Sequence, residues 1–395
     1  MRCVQEFPQF CRVDRNPEYF AFADSYWVPE DPTTARASPV ATVSYEASTG
    51  KIPIKGMGYK EGFAGNGWDS MWTDMSEIVR PTRDGVYGRE YISTRTELGR
   101  KPKHVALSGA IREISRIIEL ELPIIFDYLP KNLNNQSIQR SIAGAAPRIG
   151  SMYIASPEQT ADLITPTSTS LIPLLSPAGA LANLNRIAES SAVELTAYDV
   201  DAVTQIRKLN PNAPIIIRLP ATRNADQTAV HLASSGIDVI HLFANYHGEG
   251  WDEQDRLLVK DCIRSVHKQL VNKCLRDQVT LIVSGGITLA EHVPKAVACG
   301  ADIVGVDTTI LVALQAQFQG ECRTPDEGRI RPERFDVTWG EQRLVNLMAS
   351  WHDQLIEVLS AMGMRDVRRL RGDVGRLMFN EDLEKEAFAD IIHST

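Results

Sequence analysis

From Leu122 onward, apolar runs punctuate the chain at regular intervals. They cover residues 123–127, 151–155, 171–175, 193–196, 215–219, 239–243, 280–284 and 303–307. Each run is continuous rather than alternating, the pattern of a strand buried on both faces. Helix-like stretches separate them at 137–146, 157–163, 178–188, 200–209, 225–235, 254–274 and 289–298, and 310–318 closes the set. Strands alternating with helices form βαβ units and a parallel sheet. Eight such pairs predict a parallel (β/α)8 TIM barrel.

The two ends of the chain follow other patterns. Residues 1–118 are rich in aromatics, Pro and Gly, as at 19–22 and 56–59, and predict an N-terminal extension of short strands and long loops. Within it, 72–99 is dense in Arg and Asp and reads as a folded lid or as a solvated, ion-paired loop. After the barrel (119–322) comes a C-terminal helical segment, 323–395. There Leu344, Leu347, Met348, Trp351, Leu355, Val358 and Leu359 recur at three- and four-residue spacing, predicting an amphipathic helix over 342–362 ended by Gly363. Arg365, Arg368, Arg369, Arg371 and Arg376 then form a basic cluster, read as a surface paired with acidic neighbours rather than as an anion site, and a final helix is expected from Asn380.

Composition narrows the partners. At 395 residues, 43% hydrophobic and 23% charged, the chain has room for one large domain with extensions or for two domains. A net charge of -8 argues against nucleic acid, and no apolar run approaches a membrane span. The six cysteines are scattered, so a reducing, cytoplasmic setting is expected. Cys3 and Cys11 lack a second pair to make a metal site, and no metal is expected.

The chemistry concentrates in residues 277–318. One strand there ends in Ser284-Gly285-Gly286 and the next in Asp307-Thr308-Thr309, with a helix between them stopped by Gly300. Two glycines let backbone approach an anion closely, and the amides of Thr308 and Thr309 open a helix whose positive end favours phosphate. An ordinary βαβ pair with tight turns is the bland alternative. His247 and Glu249 stand at the carboxyl end of the sixth strand, where barrel chemistry takes place. They are candidate general acid or base residues, or plain loop residues.

These stretches resemble the FMN-binding synthase domain of glutamate synthase and its stand-alone relatives. The matching segments are 210–219, 236–241, 283–287, 300–308, 340–346 and 361–365, with fainter similarity back to 122. The resemblance implies FMN over the barrel mouth, its phosphate on Gly285, Gly286, Thr308 and Thr309, with Ser284 also cofactor-binding and Arg218 near the ring. It also implies an oxidoreductase of amino-acid and nitrogen metabolism, acting on a small-molecule substrate and exchanging electrons with a partner protein or a diffusible carrier. There are departures. Arg218 stands where the family has lysine, and Asp307 sets a carboxylate beside the proposed phosphate. Only Cys322 stands where the family's iron–sulfur ligands lie, so no such cluster is expected. No glutaminase nucleophile is recognisable near the N-terminus. The departures leave open a catalytically reduced barrel serving as a structural or regulatory subunit, or a flavin-free enzyme for a phosphorylated metabolite.

Overall fold

The computed structural model describes residues 39–52, 68, 71–74, 91–102, 116–160, 169–251, 257–319, 324, 329–331 and 334–379. Cys3, Cys11, most of the proposed lid and the expected helix from Asn380 lie outside them. Before the barrel come helix α1 (Pro39–Thr49), strand β1 (Met71–Thr73) and an antiparallel pair, β2 (Thr96–Arg100) with β3 (Arg116–Leu120). The expectation of strands and loops for residues 1–118 did not foresee α1. Its apolar side is covered by the C-terminal helix, and such tertiary burial stabilises a short segment whose own periodicity is weak.

Eight parallel strands then close a barrel: β4 (Ile124–Phe126), β5 (Tyr153–Ala155), β6 (Leu171–Leu175), β7 (Val193–Leu195), β8 (Ile215–Pro220), β9 (Val239–Phe243), β10 (Thr280–Ser284) and β11 (Ile303–Val306). Each falls within, or a residue from, a run read from the sequence. The strands are joined by α2 (Gln136–Arg148), α3 (Pro177–Ala182), α4 (Leu184–Glu189), α5 (Val200–Leu209), α6 (Ala225–Ser234), α7 (Val259–Asn272) and α8 (His292–Cys299), and α9 (Thr308–Ala313) follows the last of them. Some helix starts are set by side chains: Asn135 accepts from the Ile138 amide and Asp199 from the Ala202 amide. Each such cap contributes about 1 kcal/mol.

Some expected helices differ. Residues 157–160 form turns rather than the start of a helix, and 178–188 breaks into α3 and α4 at Asn183. The helix expected over 310–318 stops at Ala313, because Gln315 takes a left-handed conformation (φ 58°) and Gln317–Gln319 pairs as a strand with Arg329–Arg331. The long C-terminal helix, α10 (Val337–Ala361), begins five residues earlier than its apolar pattern, capped by Asp336 on the Trp339 amide. Its buried face, with Leu344, Leu347, Trp351 and Leu355, packs on α1 and α2. The basic cluster is largely ion-paired as expected: Arg368 with Asp366 and Glu97, Arg371 with Asp302 and Asp277. Among the described residues no helix is long and apolar enough to cross a membrane.

Strand parity divides the barrel interior into layers. Ile125, Ile154, Ile172, Ile216, Val239, Ile282 and Ile303 form an apolar lower layer, and Leu98 and Leu120 of the β2–β3 hairpin pack beneath it. Two residues beyond Ile125, Ala192, Ile216, Val239, Ile282 and Ile303 stand Asp127, Glu194, Arg218, His241, Ser284 and Gly305. The apolar plug at the amino ends thus supports a polar layer at the carboxyl ends, the face where TIM barrels do chemistry.

Candidate active site

The polar layer is one hydrogen-bonded network. Arg218 donates through both terminal nitrogens to Asp127, at 2.8 and 3.0 Å, and through one of them to Glu194 at 3.3 Å. Its guanidinium also lies 4.9 Å from the centre of the Phe243 ring. His241 Nδ1 is 2.8 Å from Glu194, and His241 Nε2 is 3.0 Å from Ser284 Oγ. With Glu194 accepting the Nδ1 proton, Nε2 is left to accept the Ser284 hydroxyl; this tautomer follows from the partners. Glu194, His241, Ser284 and Asp127 are all buried. Burial alone would push the Asp127 carboxyl up, but the Arg218 guanidinium, by its charge and its hydrogen bonds, outweighs it and holds the group well below the usual carboxylate range. Burial likewise opposes the charge of Arg218, and Asp127 and Glu194 overcome that effect, raising its affinity for the proton.

Gly305 makes the layer possible. A Cβ at this position would lie 3.0 Å from the Ser284 Cβ and 3.2 Å from the Asp127 Cβ. The eighth strand therefore gives up a side chain so that the charged residues can meet.

The two late turns do lie side by side: the Thr309 hydroxyl donates to the Ile287 carbonyl at 3.0 Å. Gly286 sits at φ +69°, and a Cβ there would come within 2.8 Å of the Gly248 nitrogen. The loop carrying His247 and Glu249 thus folds onto the glycine turn. That loop is tied to itself through Asn245, whose side chain accepts from the His247 and Glu249 amides and donates to the Glu249 carboxylate. His247 is buried and Glu249 half-buried. From the N-terminal side, the fully buried Trp68 donates its indole N–H to the Gly285 carbonyl at 3.1 Å, while Lys295 holds the Trp68 carbonyl.

Ser284, Gly285, Gly286, Thr308 and Thr309 were expected to hold FMN at its phosphate end, with Arg218 supplying a cation near the ring. Two of the groups expected to meet the cofactor are already engaged. The Thr308 amide is already bonded, at 2.5 Å, by the carboxylate of Asp307. Arg218 has both terminal nitrogens on Asp127, so its charge is balanced within the layer. The Thr308 hydroxyl is fully buried without a hydrogen-bond partner among the described residues.

Sequence reading singled out Arg218 and Ser284 but missed Asp127, Glu194 and His241, which join them in one network. The available signal was a polar residue within or just after an apolar strand run: Glu in 193–195, His in 239–243 and Asp after 124–126.

Comparison with known proteins agrees with this architecture. Residues 196–365 match the family described as a conserved region in glutamate synthase. An archaeal-type glutamate synthase [NADPH] of Dehalococcoides mccartyi is 23% identical, over 94% of this chain and 85% of that protein. An archaeal glutamate synthase [NADPH] of Methanocaldococcus jannaschii is 24% identical, over 84% and 79%. Among solved structures, a mutant flavocytochrome b2 with pyruvate bound superposes with a TM-score of 0.55 at 12% identity, over 95% of this chain and 85% of its own. A mutant mandelate oxidase with the monooxide FMN adduct gives 0.52 at 13%, over 93% and 98%. At such identities these structures bear on the fold alone, and both share it. Over residues 196–365, then, the chain is similar to the conserved region of glutamate synthase, and along most of its length it resembles archaeal-type glutamate synthases.

Proposed function

We propose that this protein is a glutamate-synthase-like, FMN-dependent oxidoreductase of amino-acid and nitrogen metabolism. In this reading it works in the cytoplasm, takes a small-molecule substrate at the carboxyl-terminal mouth of the barrel, and exchanges electrons with a partner protein. The observation that carries the reading is the charged layer directly under that mouth, which places a buried guanidinium, two carboxylates, an imidazole and a hydroxyl in mutual contact. Two of the relatives are named as NADPH-dependent glutamate synthases, which supports the reaction class. The reading as a structural or regulatory subunit draws nothing from them.

FMN, when bound, would supply the two-electron chemistry. This chain's own residues do the rest. Arg218 keeps a fixed cation beneath the mouth, oriented by the fork of Asp127. Glu194 holds the His241 ring in one tautomer, and His241 in turn holds the Ser284 hydroxyl immediately before the glycine turn. His247 and Glu249 are proposed as the acid or base, carried on a loop that Asn245 braces. The iron–sulfur expectation stays with the sequence: Cys322 alone stands in that region and lies outside the described residues.

An absorbance spectrum of the purified full-length protein, followed by flavin extraction, tests this. Flavin bands and released FMN are the expected result. A colourless protein that takes up no FMN across the range from acid to neutral pH would overturn it.

A further inference from the structure

We propose that Asp307 is the resident occupant of this barrel's phosphate position, so that FMN has to displace its carboxylate from the Thr308 amide in order to bind. The proposal rests on the flavin reading above and concerns the phosphate end of the cofactor only.

Several observations lead to it. The Asp307 side chain folds back onto the next residue's N–H, filling one hydrogen-bond donor the phosphate was expected to use. The hydroxyl of that same Thr308, fully buried, has no partner among the described residues, so this turn holds a second polar group that its own structure leaves unused. The glycine turn stands next to it, joined through Thr309 and the Ile287 carbonyl. Among the described residues, Arg218 is the cation that acts on Asp307, and it is already shared. Asp127 and Glu194 share Arg218, and His241 spans Glu194 and Ser284. An ionised Asp307 therefore faces Asp127 with Arg218 already committed, and an incoming phosphate would add like charge at the same place. Withdrawing or neutralising the Asp307 carboxylate frees the amide and removes the repulsion together.

The test titrates the full-length protein with FMN and, separately, with riboflavin, which has the same ring and no phosphate, following flavin fluorescence at neutral pH. Replacing Asp307→Gly is expected to tighten FMN by roughly tenfold or more, the effect of about one charge-assisted contact, and to leave riboflavin unchanged. Asp307→Asn keeps an acceptor on the amide but removes the charge, so it is expected to give a smaller gain; being nearly isosteric, it also guards against a glycine variant that fails to fold. Equal FMN affinity in wild type and both variants would overturn the assignment of Asp307 while leaving the flavin reading standing. So would riboflavin gaining as much as FMN. Failure of every variant to take up either flavin would end both.

Discussion

Arg218 grips Asp127 across the barrel mouth through two parallel hydrogen bonds, 2.8 and 3.0 Å long, with both side chains largely shielded from water. Desolvating such a pair is costly, and the compensation comes from the fork geometry and from Glu194 as a second acceptor. Removing only the cation leaves two carboxylates uncompensated. Arg218→Met is therefore expected to destabilise the fold by about 3–5 kcal/mol, read from urea unfolding. Combining it with Asp127→Leu should cost less than the sum of the two single changes, because the double variant strands one carboxylate, that of Glu194, instead of two. Arg218→Met within about 1 kcal/mol of wild type would show that the pair is not holding the layer together.

All eight barrel strands were legible in the sequence because a doubly buried strand must be apolar along its length, and that constraint is local. The network was only half legible. Arg218 and Ser284 are neighbours of visible motifs, whereas Glu194, His241 and Asp127 come from three separate strands. What joins them is barrel closure: β8 pairs with β9 so that Arg218 stands beside His241, and β11 pairs with β4 so that the register brings Gly305 level with Ile125, just below Asp127. The occupant of the anion position was half foreseen as well. The sequence set a carboxylate at 307, but whether it turned away or capped its own helix depended on a side-chain rotamer. Trp68 lay beyond reach, since its partner, the Gly285 carbonyl, is 217 residues away along the chain.

Gly305 is expected to be intolerant even of a methyl group. Its Cβ would press on Ser284 and Asp127, and neither can retreat without disturbing the bonds to His241 or Arg218. Gly305→Ala should lose about 1–3 kcal/mol in denaturant melts, the usual range for overpacking. A variant as stable as wild type would mean that the upper layer is looser than these distances describe.

Trp68 ties the segment before the barrel to its mouth. The side chain is fully buried, bonds the Gly285 carbonyl and stacks near His292, with ring centres 6.4 Å apart. Trp68→Ala should cost about 3–5 kcal/mol through the cavity it leaves. Trp68→Phe keeps most of the packing and loses the hydrogen bond, so about 1–2 kcal/mol is expected. Thermal melts of the two variants separate the contributions. Equal losses would mean that the indole N–H rather than the ring volume sets the cost.

The pH dependence of stability isolates Asp307. Burial, and then the nearby Asp127 carboxylate, push its carboxyl from the ordinary 3.8 up to about 6. A carboxyl whose affinity for the proton rises on folding contributes stability that is fully present below its unfolded value near 4 and is lost as the pH rises through 6. Above that, keeping it ionised costs the fold about 3 kcal/mol. Asp127 acts in the opposite sense: its carboxyl is held low, so its contribution is present above about 4 and lost in acid. The two trends overlap in the wild-type profile, and a single melt cannot assign them. The difference between Asp307→Asn and wild type can, because Asp127 is common to both proteins. That difference should be small near pH 4, grow in favour of the variant toward pH 6, and level off above about 7. A difference that stays flat from acid to neutral pH would show that Asp307 does not change its charge on folding, and that its hold on the Thr308 amide is that of an ordinary ionised helix cap.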